Sequence, residues 1–227
     1  MTFVPTNLQK AMAGPARVLL APISVAIVTD PYTVVPAVAN GSGEYPIVAA
    51  AATAGWWDAG LKKDAPGYEH GHDDGDAPEY EETGELTARP STIVRTFTVA
   101  FAQFEDKMLE VVENSTQSET VAAVAGKPAQ RKLHVGIYDA LIAYRALFMF
   151  ERIAEGGETV TEPGGRVRPV RLTRVIPRCT ITADEKSLEM AKDGAGFECQ
   201  FQVQTESTLT AARAHGYWVA EAAGTFA

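Results

Sequence analysis

A mainly β fold is predicted by three features of this sequence. Ile93 to Ala102 alternates Phe97, Val99 and Phe101 with Thr96, Thr98 and Ala100, the period of two of a half-buried strand written in β-favouring residues. Phe197 to Val203 repeats the pattern, with Phe197, Cys199, Phe201 and Val203 on one face. Arg166 to Thr182 is extended and interrupted by Pro169 and Pro177, which marks edge strands or bulges.

Taken in order, residues 1–15 mix polar, Gly and Pro residues without a period and read as an N-terminal arm. Ala16 to Pro22 is a short apolar run, a first strand. Ile23 to Gly55 is rich in Pro, Gly, Ala and Val with a turn signal at Asn40-Gly-Ser-Gly43, and is expected to be a long loop with room for a short strand. Gly55-Trp-Trp-Asp-Ala-Gly60 leads into an acidic stretch, residues 64–90, expected as a long solvated loop or hairpin. After the strand at Ile93, the segment Phe104 to Asn114 switches to helical spacing. Phe104, Met108, Leu109, Val111 and Val112 fall on one stripe with Asp and Glu early, which predicts a helix of about three turns. Leu133 to Ala154 passes as a helix on propensity, yet Tyr144 to Ile153 also fits a buried strand, and the pattern leaves both open. A Gly and Pro turn at Gly156 to Gly165 precedes the arginine-rich stretch, and residues 205–227 read as a weakly patterned C-terminal extension.

The chain of 227 residues, 46% hydrophobic, can bury one sizeable core, so a single domain over 1–227 is expected. Its longest nearly uncharged stretch, Val18 to Gly43, is broken by Pro22, Pro31 and Pro36, which excludes a membrane-spanning helix there. Met1 to Arg17 lacks a continuous apolar region of the secretory kind, and an intracellular chain is expected. The net charge of −9 is localised: Asp64 to Glu85 holds nine carboxylates and no Lys or Arg, so the remainder balances 20 basic against 20 acidic residues. Gripping DNA needs a basic face, and a chain of this charge balance does not look like a DNA reader. The two cysteines, Cys179 and Cys199, exclude a disulfide framework and show no metal spacing; the alternation around Cys199 makes it a small core residue.

Few residues offer chemistry. His70-Gly-His72-Asp73-Asp74-Gly75 holds ligand types suited to zinc and resembles the start of the HxHxDH motif of metallo-β-lactamase-fold hydrolases, but Gly75 stands where the last His belongs. A solvated acidic loop is the expectation, with a metal-dependent hydrolase using His70 and His72 as the alternative. No GxSxG elbow, P-loop or GxGxxG fingerprint occurs. The expectation is no enzyme, no cofactor and no resident metal. The five arginines between 166 and 178 could meet phosphates, the acidic loop of a neighbouring copy, or solvent. Trp56 and Trp57 suit core or subunit-interface packing, and with Trp218 could instead stack on a sugar.

The order of these pieces resembles that of siphophage tail tube proteins. The resemblance rests on Gly14-Pro-Ala-Arg-Val-Leu-Leu-Ala-Pro22 after a Pro/Gly-spaced arm and on the Trp57-Asp58-Ala59-Gly60 entry to an acidic loop. It continues in the arginine-led strand and helix from Val94-Arg-Thr-Phe-Thr-Val-Ala-Phe-Ala-Gln-Phe-Glu105 and in Val175-Ile-Pro-Arg-Cys-Thr-Ile181. It implies a β-sandwich or barrel with one flanking helix, with Tyr144 to Ile153 as a strand. It further implies a virion protein of the tail, assembled in the host cytoplasm, whose copies form stacked, hexameric rings. The partners would be the chain itself, a tape measure protein in the lumen and other tail proteins at the tube ends, with DNA passing through unbound and no membrane involved. Candidate inter-subunit contacts are Asp64, Glu69, Asp73, Asp74 and Asp76 against Arg166, Arg168 and Arg171, together with Trp56 and Trp57. Another β-module of the virion, a tail completion or capsid decoration protein, is the alternative within the structural class.

Overall fold

In the first strand, β1 (Arg17–Pro22), Val18 and Leu20 face one side of a sheet and Leu19 and Ala21 the other, and all four are fully buried. Such a strand needs an apolar cover on both faces, and the rest of the chain supplies it. The computed structural model describes residues 17–59, 67–74, 79–80, 84–85, 90–101, 106–115, 118–134, 141–151, 158–182, 188–191, 194–210 and 212–225. The expected N-terminal arm lies outside them.

The fold is mainly β. After β1 come β2 (Trp57–Asp58), β3 (Gly67–Asp74), β4 (Glu79–Tyr80), β5 (Gly84–Glu85), β6 (Pro90–Phe101), β7 (Ser118–Val121) and β8 (Gln130–Leu133). Then follow β9 (Ala143–Glu151), β10 (Thr159–Thr161), β11 (Val167–Pro169) and β12 (Arg171–Thr182). The last are β13 (Leu188–Ala191), β14 (Gly194–Val203), β15 (Tyr217–Ala220) and β16 (Gly224–Thr225). The main sheet runs β2-β1-β9-β12-β14-β6-β3 with every pairing antiparallel, β13 added beside β14 and β15 beside β12.

This sheet folds over on itself. Phe148 on β9 and Phe97 on β6 stand three strands apart in the sheet, about 14 Å if it were flat, yet their rings stack at 4.4 Å. Phe201 of β14 closes on Phe148 edge-on at 5.6 Å. The two halves therefore face one another across an apolar interior, the sandwich-like arrangement the resemblance implies. The turn is made in β12, whose register shifts between Ile176 and Cys179 around Pro177. Proline cannot donate to the ladder, so the bulge falls where the sequence placed it. Before the bulge β12 pairs β15, and after it β14.

The interior face gathers Val18, Leu20, Trp57, Phe97, Val99, Phe148, Ile176, Cys199 and Phe201. A helix, Asp106–Val112 (α2), closes it with Met108 and Val111. As described, this helix begins at Asp106, and the start of the expected one at Phe104 and Glu105 lies outside the described residues. It stops because Asn114 takes a left-handed φ of 51° while Ser115 N–H donates to Glu110 C=O at 2.8 Å and Asn114 N–H to Val111 C=O at 3.1 Å, a Schellman ending.

The opposite face is covered by the stretch expected to be a long loop. It carries a 3-10 turn at Pro31–Thr33 and a helix, Ala49–Ala54 (here α1 by chain order), in place of a short strand. Val28, Val34, Val35, Ala51 and Trp56 pack from it onto Leu19, Ala21, Leu147, Met149 and Val175. The helix ends at Gly55, whose φ of 114° only glycine adopts readily. Arg145, inside the sheet on β9, ties this cover down by donating to the Val25 carbonyl and, at 2.7 Å, to the Pro177 carbonyl beside the bulge. Glu206 balances it at 3.7 Å.

Two further expectations change. The acidic stretch is not a loop throughout: β3 pairs β6 from Gly67↔Thr98 to Asp74↔Pro90, and β4 pairs β5. Val94 to Thr98 and their neighbours are strong β-formers that offer β3 a template. The C-terminal extension is woven into the body, since β15 pairs β12 and β16 runs parallel beside β10 in a small sheet of β11, β10 and β16.

Candidate functional site

The arginines that the sequence offered to a neighbour, a phosphate or solvent are largely taken up inside the chain. Alternation along β12 places Arg171, Thr173 and Val175 toward the face covered by residues 23–55, and Arg168 enters the same region from β11. Arg168 is 4% exposed; its Nε donates to Glu162 at 2.8 Å, its Nη1 and Nη2 to Glu221 at 2.5 and 2.8 Å, and Nη2 also to the Ala37 carbonyl at 3.1 Å. Tyr32 and Tyr45 donate their hydroxyls to Glu221 and Glu162 at 2.7 and 2.5 Å. The Arg171 guanidinium lies 3.7 Å from the centre of the Tyr45 ring, and its backbone N–H donates to Glu221 at 2.8 Å.

Two buried carboxylates thus meet one fully engaged guanidinium and two tyrosines. Burial alone would raise both carboxylates, but hydrogen bonds from Tyr45, the Ala39 N–H and Arg168 hold Glu162 below its ordinary value, and those from Arg168, Tyr32 and the Arg171 N–H do the same for Glu221. Burial would lower Arg168, yet its bonds to Glu221 and Glu162 push it up instead. The cluster binds three parts of the chain: the cover over residues 32–45, the β10–β11 hairpin, and the C-terminal strand. Arg174, on the other face, is buried beneath Trp218 at 5.4 Å and donates to the His215 carbonyl at 2.7 Å. Arg166 alone of the three named candidates keeps an exposed side chain, and it bonds the Gly43 carbonyl at 2.7 Å. The solvated-face reading therefore does not hold for Arg168, Arg171 and Arg174, because each is itself buried and bonded within the chain.

Trp56 and Trp57 are 5% and 7% exposed and go to opposite faces of the sheet, Trp57 beneath the Lys107 ammonium at 5.9 Å. Neither is open to a sugar. Beside the ion cluster lies a cavity of about 390 Å³ lined by Arg17, Glu44, Tyr45, Glu151 and Arg171. Its two cations and two carboxylates balance, and it favours neither an anion nor a cation.

Glu69, His70, His72, Asp73 and Asp74 all lie on β3, within the ribbon it makes with β6, and their side chains fall outside the described residues, as do Asp64 and Asp76 entirely. Among the described residues no group of three His, Cys, Asp or Glu could hold a metal ion. Burial pushes the Cys179 thiol up to about 12, which keeps it protonated, and Cys199 is 3% exposed. No helix among the described residues is long and apolar enough to cross a membrane.

The β3–β6 ribbon runs on past the strands that pair in the body. β14 pairs β6 only from Thr96 to Phe101, whereas β3 follows it back to Pro90. Below Thr96 the two strands continue as a pair, with His70, His72, Asp73 and Asp74 on β3. No family model and no curated protein matches this chain.

Proposed function

We propose that the chain is the tail tube subunit of a long-tailed bacteriophage, a virion structural protein without a catalytic role. Its copies join into stacked rings around a tape measure protein and later conduct DNA. The observation that carries this reading is the ribbon: it prolongs a folded-over antiparallel sheet past the pairing of β14 and holds Glu69, Asp73 and Asp74 of the sequence's densest carboxylate run. A surface of that kind, meeting a different surface on the next copy, makes a heterologous contact that propagates without closing.

The ends of the sheet support the same reading. β3 stands at one end, and at the other β2 covers β1 only at Leu19 and Leu20. Exposed sheet edges recruit other strands, and joining them edge to edge in a ring satisfies each copy on both sides. A wall built from chains of net charge −9 repels passing DNA and does not retain it. The order of motifs that resembles tail tube proteins, from the short first strand through the Trp-Asp-x-Gly entry to the arginine-led strand with its helix, points the same way.

Replacing residues 64–90 by a short Gly linker tests the ribbon's role. The variant should keep a β-type circular dichroism spectrum and stay in the supernatant at concentrations where the parent chain pellets as tubes. Equal pelleting of the two would remove the ribbon from the account.

A further inference from the structure

β7 and β8 form a hairpin that pairs with no other strand among the described residues. Every residue from Ala122 to Gln130 is exposed, and Val124, bridged to Lys127 at the tip, is 61% exposed. At its root Ser115 Oγ donates to the His134 carbonyl at 2.7 Å, and within the hairpin His134 Nε2 stands 3.6 Å from Glu119. Two strands alone are marginally stable in water, so an exposed hairpin of this kind gains from a partner.

Its charge says which partner. Within residues 118–134 Lys127, Arg131 and Lys132 face a single carboxylate, Glu119, in a chain that is strongly acidic overall. Lys127 and Lys132 are exposed, whereas Arg168, Arg171 and Arg174 are consumed inside the fold. The complementary element is the ribbon, whose β3 carries Glu69, Asp73 and Asp74.

We infer that the β7–β8 hairpin is the docking element for a second copy of this chain and that it receives that copy's acidic β3–β6 ribbon. This rests on the assembly reading above and adds the surface on which the ribbon lands. The hairpin and ribbon are different surfaces, so each copy offers one and accepts the other, which propagates a stack. The contact pairs the hairpin's exposed lysines with the ribbon's carboxylates, with Val124 as its apolar centre, and it weakens with salt.

The test uses the full chain. Lys127→Glu/Lys132→Glu should keep the parent's thermal midpoint and circular dichroism while raising the concentration needed for sedimenting assembly by about ten-fold at low salt. Lys127→Gln/Lys132→Gln should raise it by a smaller factor. Adding Asp73→Lys/Asp74→Lys to the charge-reversed chain should restore assembly toward the parent's concentration. A parent that assembles beside a charge-reversed variant that assembles equally, or a reversal that the ribbon substitutions fail to rescue, overturns this contact alone. A parent that stays monomeric throughout overturns the assembly reading and this contact with it.

Discussion

Glu221 concentrates the energetics of this fold in one side chain. It accepts from Tyr32, twice from Arg168 and from the Arg171 backbone, all with little exposure to solvent. Removing one partner of a buried ion pair leaves the other charge unmatched, which costs about 3–5 kcal/mol. Glu221→Gln keeps part of the hydrogen bonding and should lower the urea-unfolding free energy at neutral pH by about 3 kcal/mol. The same residue fixes a pH dependence. Glu221 and Glu162 titrate below the ordinary 4.5 in the folded chain, so the stability they contribute is present above 4.5 and is lost as pH falls through their folded values. The parent should therefore lose stability steeply below pH 4.5, and Glu221→Gln should show a shallower acid slope in thermal scans. Equal slopes would show that the cluster is not the acid-labile element. None of this was legible beforehand, although the arginines were. Glu221 lies 53 residues from Arg168 in a stretch with no period, and Tyr32 lies 189 residues from Glu221. Isolated polar residues whose partners come from distant segments leave no local pattern to read.

At the scale of elements, strands with one apolar and one mixed face were legible from alternation: β6 and β14 stand where Phe97-Val99-Phe101 and Phe201-Val203 place them. β9 was ambiguous for a physical reason. Ala143 to Phe150 is buried on both faces, and a strand with two apolar faces loses its period and reads equally as a helix. α1 escaped notice because six residues, nearly all alanine and without a side-chain cap, leave no helix signature. β15 escaped because four residues with alternating exposure fall below what pattern can resolve. Its entry is set by Gly216, whose φ is 88° and where a Cβ would stand 1.9 Å from the Val175 carbonyl oxygen. Gly216→Ala should therefore loosen β15 without unfolding the sandwich. Hydrogen exchange at Tyr217 to Glu221 should quicken by about 10- to 100-fold while β6 and β14 keep their protection. Unchanged exchange at β15 would mean that the turn before it tolerates a side chain.

For the whole molecule, the fold class and the acidity were readable from the sequence, but the distribution of charge over the folded chain was not. Five arginines in thirteen residues look like a surface, and the structure draws three of them into its interior. That leaves the exposed Lys127 and Lys132 of the β7–β8 hairpin as basic groups outside the interior, which burial reveals and the sequence does not. Trp56 and Trp57 resolve the same way, since the doublet straddles the sheet and feeds both apolar layers. A chain with an apolar interior and a folded-over sheet has its remaining capacity for interaction at its sheet edges and its exposed hairpin. The central claim is therefore about assembly, and negative-stain electron microscopy of the purified chain across a concentration series tests it most directly. Hollow tubes with a regular axial repeat, growing longer as concentration rises, are the predicted result. Single particles of uniform size at every concentration would contradict it.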